Sequence, residues 1–485
     1  MRSISPGLWM SERSASQVSR SEVGEVQRMS PADPLAESPP PSPQSGASLR
    51  RNFTLGVLNG VFFRIADVFF DTQTVLAWFL AQLGASNVLI GLVPPLRFGA
   101  SFLFQLVAAD YVERRPYILP FYRTISIFRC AVLLLLAAAV AWLPVGRTAL
   151  IVIFLVTLTL FSVGVGLISL PFMDVVGKVI PPRRRGAFFS QRMFWGGLMA
   201  LAGSAVVSFL LGEPWGLAFP RNAALLFALS AVFYILTAWS WLLIDEPPSQ
   251  VVARPQQRTQ RLRLAYQLQR GLRLLKHHVP YRRYVLLRLA LTFGGWADPF
   301  YVVYAQRQLG IPATFIGTYL GVRTLAGLLS NFYWGHLSDH RGNRLLLIAT
   351  SVVGLTIPGV ALLLGALHTV GRGWLTVTSL GWAFGLVFLA GGVFGSASQM
   401  GIINYLLDLA PESERPLYLA FTNTLFGLAR FAGMASGLVV ERFGFTSLLV
   451  ISGLAYALAL LLSLRLVEPR ATMNPKAHSA PAFPP

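Results

Sequence analysis

The chain has 485 residues, of which 54% are hydrophobic and only 12% charged, yet it carries a formal net charge of +20. A soluble protein devotes about a quarter of its residues to charge, so a soluble enzyme or nucleic-acid-binding domain is disfavoured despite the basic balance. The single cysteine, Cys130, excludes an internal disulfide and any cysteine-based metal cluster.

Residues 1–50 hold no long apolar run and include Ser-Pro-Pro-Pro-Ser-Pro at 38–43. A disordered tail over 1–51, without a secretory signal, is expected. A helix needs about 20 apolar residues to cross a bilayer. Twelve such runs follow, at 54–81, 86–108, 117–143, 148–173, 188–212, 222–244, 284–306, 313–336, 343–367, 374–400, 417–440 and 445–467. Most connections are short. The exception, 245–283, separates a first group of six runs (52–244) from a second (284–468), and a short tail at 469–485 closes the chain. The expected fold class is an all-α polytopic membrane protein of 12 transmembrane helices in two pseudo-symmetric six-helix bundles.

Lys and Arg sort by side. The segments on the side of the N-terminus hold 27 and the opposite loops 5, with eight arginines inside the apolar runs. This asymmetry predicts both termini and the central segment in the cytoplasm, and it makes the positive charge a topology signal. Within 245–283, Leu262, Ala265, Tyr266, Leu268, Leu272 and Leu275 alternate with Arg258, Arg261, Arg263, Arg270, Arg273 and Lys276. That spacing predicts a basic amphipathic helix on the cytoplasmic leaflet.

The two groups repeat. Ile90-Gly91 followed by Arg97 matches Ile316-Gly317 followed by Arg323, and Ala66-Asp67-Val68-Phe69 resembles Ala297-Asp298-Pro299-Phe300. Pro181 to Arg185 matches Pro411 to Arg415. Between the eighth and ninth runs lies Gly335, then Asp339, Arg341, Gly342 and Arg344. Asp110 and Arg115 hold equivalent places after the second run, where Leu106 and Glu113 replace the two glycines. The Gly-x3-Asp-x2-Gly-x-Arg spacing resembles the loop motif of the major facilitator superfamily, and the resemblance covers roughly 52–470. It implies two homologous bundles related by an axis along the membrane normal, and alternating access. Gly335, Asp339, Arg341, Gly342 and Arg344, with Asp110 and Arg115, are then gating residues that hold helix ends together in one state. The proline-containing motif of drug–proton antiporters is missing from Gly196–Gly203, and of the sugar-porter motifs only Glu246-Pro247 and Glu468-Pro469 remain.

Charge inside an apolar run is costly, about 2.5–3.5 kcal/mol at the bilayer centre on insertion scales, and normally faces the bundle interior. Arg64, Asp67 and Asp71 lie three and four residues apart, on one helical face. Asp298 sits at the depth of Asp67 in the seventh run, before Pro299, which removes a backbone donor. Arg97 and Arg323 are mid-run. Burial disfavours a charged carboxylate and a nearby guanidinium favours it, so moving the arginine loads or releases a proton. Asp67 or Asp298 is thus a coupling candidate, with H+ as coupling ion. The duplication also supports structural pairs, Asp67–Arg97 and Asp298–Arg323, at least one of them structural or gating. Asp71, without a counterpart in the seventh run, is the more substrate-like acid.

Tyr301, Tyr304, Gln399 and Asn404 are cavity candidates, although helix packing explains them almost as well. Eight membrane arginines against three deep acids allow an anionic substrate. No GxxxxGK[ST], HExxH or GxSxG motif occurs, and the histidines form no ligand cluster, so no enzyme, cofactor, metal or nucleic-acid partner is expected. The expected function is secondary active transport of a small solute across the cell membrane by a monomer in the lipid bilayer. The alternative is a non-transporting assembly or pigment-delivery factor of the same fold.

Overall fold

A computed structural model describes residues 46–99, 104, 115–212, 217–248, 260–370, 376–411 and 414–469, and every regular element among them is helical. The first run folds as two pieces, α1 (Gly46–Phe69) and α2 (Val75–Gln82). The second begins as α3 (Asn87–Pro94) and continues into a π-type turn over Pro95–Gly99. Four long helices complete the first half: α4 (Leu119–Trp142), α5 (Arg147–Val179), α6 (Pro182–Leu210) and α7 (Arg221–Leu242). The connector α8 (Gln260–His277) leads into α9 (Val279–Gly294), a 3-10 turn at Gly295–Ala297, and α10 (Phe300–Leu309). Then come α11 (Phe315–Arg341), α12 (Asn343–Val370), α13 (Val377–Leu409), α14 (Arg415–Phe431) and α15 (Met434–Leu464). Among the described residues, α4, α5, α6, α7, α12, α13 and the stretch Leu417–Leu464 are long and apolar enough to cross a membrane unaided. In the last stretch Gly444, at φ 80°, marks the junction of the eleventh and twelfth runs.

The first and seventh runs, continuous in sequence, are broken in space. Asp71 accounts for the first break: its Oδ1 accepts from Gln73 N at 3.0 Å, Thr74 N at 2.9 Å and Thr74 Oγ1 at 2.7 Å. These bonds satisfy donors that a new helix start leaves without intrahelical partners. The expectation that Arg64, Asp67 and Asp71 share one helix is corrected here, because α1 ends at Phe69. Pro299, which has no backbone N–H, sits at the second break.

Without water in a bilayer core, backbone and hydroxyl groups must be satisfied internally. Ser230 of α7 donates to Ala66 O at 2.9 Å, and Ser452 of α15 donates to Gly294 O at 2.5 Å, so in each half the last helix bonds the backbone of the first. Outward-facing leucines such as Leu135 and Leu454 are 67% and 65% exposed, the surface a lipid-facing belt requires.

The close contacts of α6 with α11 fall between 197–208 and 314–328. Gly317 presses on Ser204 O and Ser208 N, Gly197 on Leu328, and Ser208 Oγ donates to Thr314 O at 2.6 Å. The partner crossing joins α3 to α15, where Gly437 presses on the backbone of Asn87 and Val88 and a methyl on Gly91 would lie 3.1 Å from Gly437 N. The repeated Ile-Gly of the sequence is thus the point where each half touches the other. Arg307 adds bonds to Asn87 Oδ1 at 3.3 Å and Ala81 O at 3.2 Å. Except for the mid-helix Gly197–Leu328 contact, these lie at the end away from the described termini, here called the distal end.

The opposite, terminal end has its own duplicated fastenings. Arg185 donates to Gly177 O at 2.7 Å and Ile180 O at 3.0 Å, and Arg415 to Leu407 O at 3.3 Å, so the repeated Pro…Arg segment closes α5 and α13 alike. Glu246, whose side chain is 3% exposed, accepts from Ile118 N and Leu119 N at 2.9 Å and from Lys178 Nζ at 2.7 Å. Glu468 accepts from Arg344 N at 2.8 Å. The two Glu-Pro pairs, too short to identify a subfamily, cap the starts of α4 and α12. The connector α8 docks on the second half: Gly271 presses on Phe421, and Arg270 pairs with Glu414 at 2.8 Å.

Candidate functional site

Besides an apolar groove of about 1020 Å³ beside the α6–α11 contact at the distal end, two cavities that carry charged side chains lie between the halves. The larger of these two, about 480 Å³, is lined by Arg64, Asp67, Asp71 and Arg97 from the first half and by Arg323, Asn331 and Gln399 from the second. The smaller, about 250 Å³, is lined by Arg288, Trp296, Asp298 and Arg430 with Phe98 and Phe426. Gln73 and Phe98 line both and form the partition between them. The broken helices explain the location, since a break at 70–74 and another at 295–299 turn polar groups toward the seam.

The Asp67–Arg97 pair forms at 3.2 Å, with Tyr234 donating to Asp67 at 3.3 Å. The Arg97 side chain is 6% exposed and lies 5.1 Å over the Phe161 ring, while that of Asp67 is 38% exposed toward the cavity. Asp298 departs from the expected symmetry. Its Oδ2 accepts from Gln73 Nε2 at 3.0 Å, a bond between the two helix breaks and therefore between the two halves. Arg323 is not within ion-pair distance of Asp298 among the described residues; it lines the larger cavity and acts on Asp298 electrostatically from there. The two expected pairs are thus one direct pair and one longer-range interaction.

Of the four aromatic and amide candidates, Gln399 alone lines one of these two cavities. Tyr301 is buried, and its hydroxyl has no hydrogen-bond partner among the described residues. Tyr304 packs with Phe384 and Phe445 at 6.2 and 6.0 Å. Both belong to α10, beyond the break, where the helix faces core. Asn404 donates to Ser338 Oγ at 3.3 Å, at the terminal end.

The polar turn is built as its spacing suggests. Gly335 and Asp339 lie in the last turns of α11, Gly342 makes the turn at φ 84°, and Arg344 opens α12. Ser338 Oγ donates to Asn343 Oδ1 at 2.7 Å, and Asn343 Nδ2 to Asp408 Oδ2 at 2.6 Å, fastening the turn to α13. Asp339 and Arg341 are exposed, as is Arg115 of the first copy; Asp110 lies outside the described residues.

Sequence spacing assigns no role to Arg288, Trp296 or Gln73. Arg288 was one of eight membrane arginines, but only the break after α9 puts it on the same cavity wall as Asp298. Gln73 lay inside an apparently continuous apolar run.

The family model described as Major Facilitator Superfamily matches residues 53–388 and 285–484. Solved structures share the fold at low identity. A D-xylose–proton symporter is 17% identical and covers 87% of this chain and 99% of its own at a TM-score of 0.63. A POT family transporter in complex with 5-aminolevulinic acid is 12% identical, covering 87% and 97% at 0.62. A bacterial homologue of the iron transporter ferroportin, in an inward-facing state, is 14% identical, covering 87% and 99% at 0.61. No curated protein matches the chain.

Proposed function

From the premise that this chain belongs to the Major Facilitator Superfamily, we propose that it is a secondary active transporter moving a small solute by alternating access. The observation that carries this reading is the pair of polar cavities at the seam, lined from both halves, with the backbone-to-backbone contacts between the halves, at Gly317 and Gly437, near the distal end. With the termini cytoplasmic, as the Lys and Arg asymmetry predicts, this arrangement is the inward-facing state, and the resting place is the cell membrane. The protein works as a monomer in this reading, since each chain holds both halves of its site.

Proton coupling falls to the carboxylates of the seam, as the likeness to a D-xylose–proton symporter supports. Asp67 is positioned by Arg97 and Tyr234 and remains open to the larger cavity. Asp298 is bonded across the seam by Gln73, so rocking the halves changes its surroundings. The exposed Asp339 and Arg341 engage the opposite half when the terminal end closes, and Arg344 holds the base of α12 through both states.

The test is counterflow in proteoliposomes made with the purified chain, using a solute library of both charges with and without an imposed pH gradient. Saturable flux is expected. Its absence for every solute defeats the reading and leaves the non-transporting assembly or pigment-delivery factor.

A further inference from the structure

The smaller cavity has a composition that the transport reading does not explain. Across both cavities five arginines, Arg64, Arg97, Arg288, Arg323 and Arg430, face three acids, Asp67, Asp71 and Asp298. The acids are engaged by the protein: Asp67 by Arg97, Asp71 by the start of α2, and Asp298 by Gln73. In the smaller cavity Asp298 is the one acid in the lining, against Arg288 from α9 and Arg430 from α14. Both guanidiniums line the same cavity of about 250 Å³. Each rests on a ring, Arg288 at 4.1 Å over Phe426 and Arg430 at 5.3 Å over Phe98. A ring beside a guanidinium supports its planar N–H fork, and that fork matches a carboxylate bidentately.

The rest of the lining sets aromatic and apolar groups beside four polar side chains, Gln73, Thr292, Ser398 and Ser436. Trp296, edge-on to Phe293 at 4.8 Å, has a buried Nε1–H with no hydrogen-bond partner among the described residues. Gly91, Gly295 and Gly433 bring backbone rather than side chains to the walls. At about 250 Å³ the cavity lies at the small end of ligand sites, which run about 300–1,000 Å³. That space suits one ring and an acid group, and excludes a disaccharide.

We propose that the transported solute is a small aromatic carboxylate, held at its acid group by Arg288 and Arg430 with its ring among Phe98, Trp296 and Phe426. A polar substituent on the ring takes the Trp296 N–H. This inference rests on the transport reading and specifies its substrate class. The cavity draws on both halves, Phe98 and Gln73 from the first and the arginines from the second, so a bound acid ties together the surfaces that must separate for release. Two cationic groups against one acid in the lining account for the selection of charge.

The test uses the full chain with benzoate, 4-hydroxybenzoate and indole-3-acetate, alongside benzamide and benzylamine. Binding is read by calorimetry and transport by counterflow. At least one acid is expected to bind and to drive counterflow, with benzamide binding at least tenfold more weakly than benzoate. R288Q and R430Q should each weaken that binding tenfold or more, while R288K, keeping the charge, loses less; elution as a single monodisperse species shows that each variant folds. The inference is overturned if no acid binds, if benzamide or benzylamine matches the acids, or if both folded glutamine variants bind as the parent does. Counterflow driven by benzylamine but not by the acids removes the anion assignment and leaves the transporter standing. Counterflow by none of the broader solute library removes the transporter reading itself.

Discussion

Gly317→Ala tests whether the distal seam belongs to one state of a two-state machine. The new methyl would meet Ser204 O and Ser208 N, and would stand 2.8 Å from Ser208 Cα, so only backbone movement relieves it. Overpacking of this kind costs about 1–3 kcal/mol. If the seam closes only in the observed state, that cost falls on this state alone, and the ratio of distal-open to distal-closed molecules rises about 5- to 150-fold. Spin labels at Gln82 and Gln308, exposed positions near the distal ends of α2 and α10, report the change by pulsed dipolar spectroscopy. A second, longer-distance population should appear or grow. Gly437→Ala, which would strike Asn87 and Val88 at the pseudo-equivalent crossing, should move the ratio the same way. A folded Gly317→Ala protein with an unchanged distance distribution would refute the idea that this contact is specific to one state.

Three further outcomes are expected. Asp67→Asn leaves the Arg97 side chain, 6% exposed, without its counter-charge. Removing one partner of a fully buried pair costs about 3–5 kcal/mol, and the opening of Asp67 to the cavity lowers this to about 1–2 kcal/mol; pH-gradient-driven uptake should vanish while exchange persists, and unchanged gradient dependence in proteoliposomes would remove coupling at this site. Glu246→Gln weakens charge-assisted bonds to Ile118 N, Leu119 N and Lys178, a loss of about 1.5–3 kcal/mol, visible as a lower thermal midpoint; a midpoint equal to that of the parent would mean that the cap does not hold α4. Asp339→Ala should slow turnover more than it weakens binding, and a large affinity loss with normal turnover would contradict a gating role.

Much of the architecture was readable because membrane insertion leaves a coarse record: long apolar runs, basic loops on one side, and a duplicated Ile-Gly…Arg. The record is poor at breaks. Nothing in the run 54–81 announces that Asp71 would turn back to cap α2, since an acid at helical spacing looks the same in a continuous helix. Pro299 did mark its break. The pairing of Asp67 with Arg97 followed from depth alone. Asp298 found Gln73 instead of Arg323 because its partner came from the other half, a relation that repeat offsets within each half do not encode. Arg288 and Arg430 were visible as charges in lipid, but their convergence on Phe98 and Phe426 depends on two helices 142 positions apart in numbering. The Glu-Pro remnants taught the converse. Too short to name a subfamily, they still carry a precise local task.

The lengths of α5 and α13 have a consequence for what a solute meets on leaving. Each runs for 33 residues, about 50 Å at a rise of 1.5 Å per residue, against a hydrocarbon layer of about 30 Å. Even at a tilt of about 40°, the steepest commonly seen, roughly 8 Å of each helix stands clear of the oily layer. Both helices finish at the terminal end, where Arg183 and Arg184 are exposed. If that excess stands at the terminal end and the seam opens there, as the proposed inward-facing state has it, a leaving solute passes these arginines at headgroup level, where anions are concentrated and cations thinned. Ionic strength should consequently alter the rate of anion entry at this face more than the affinity of the site.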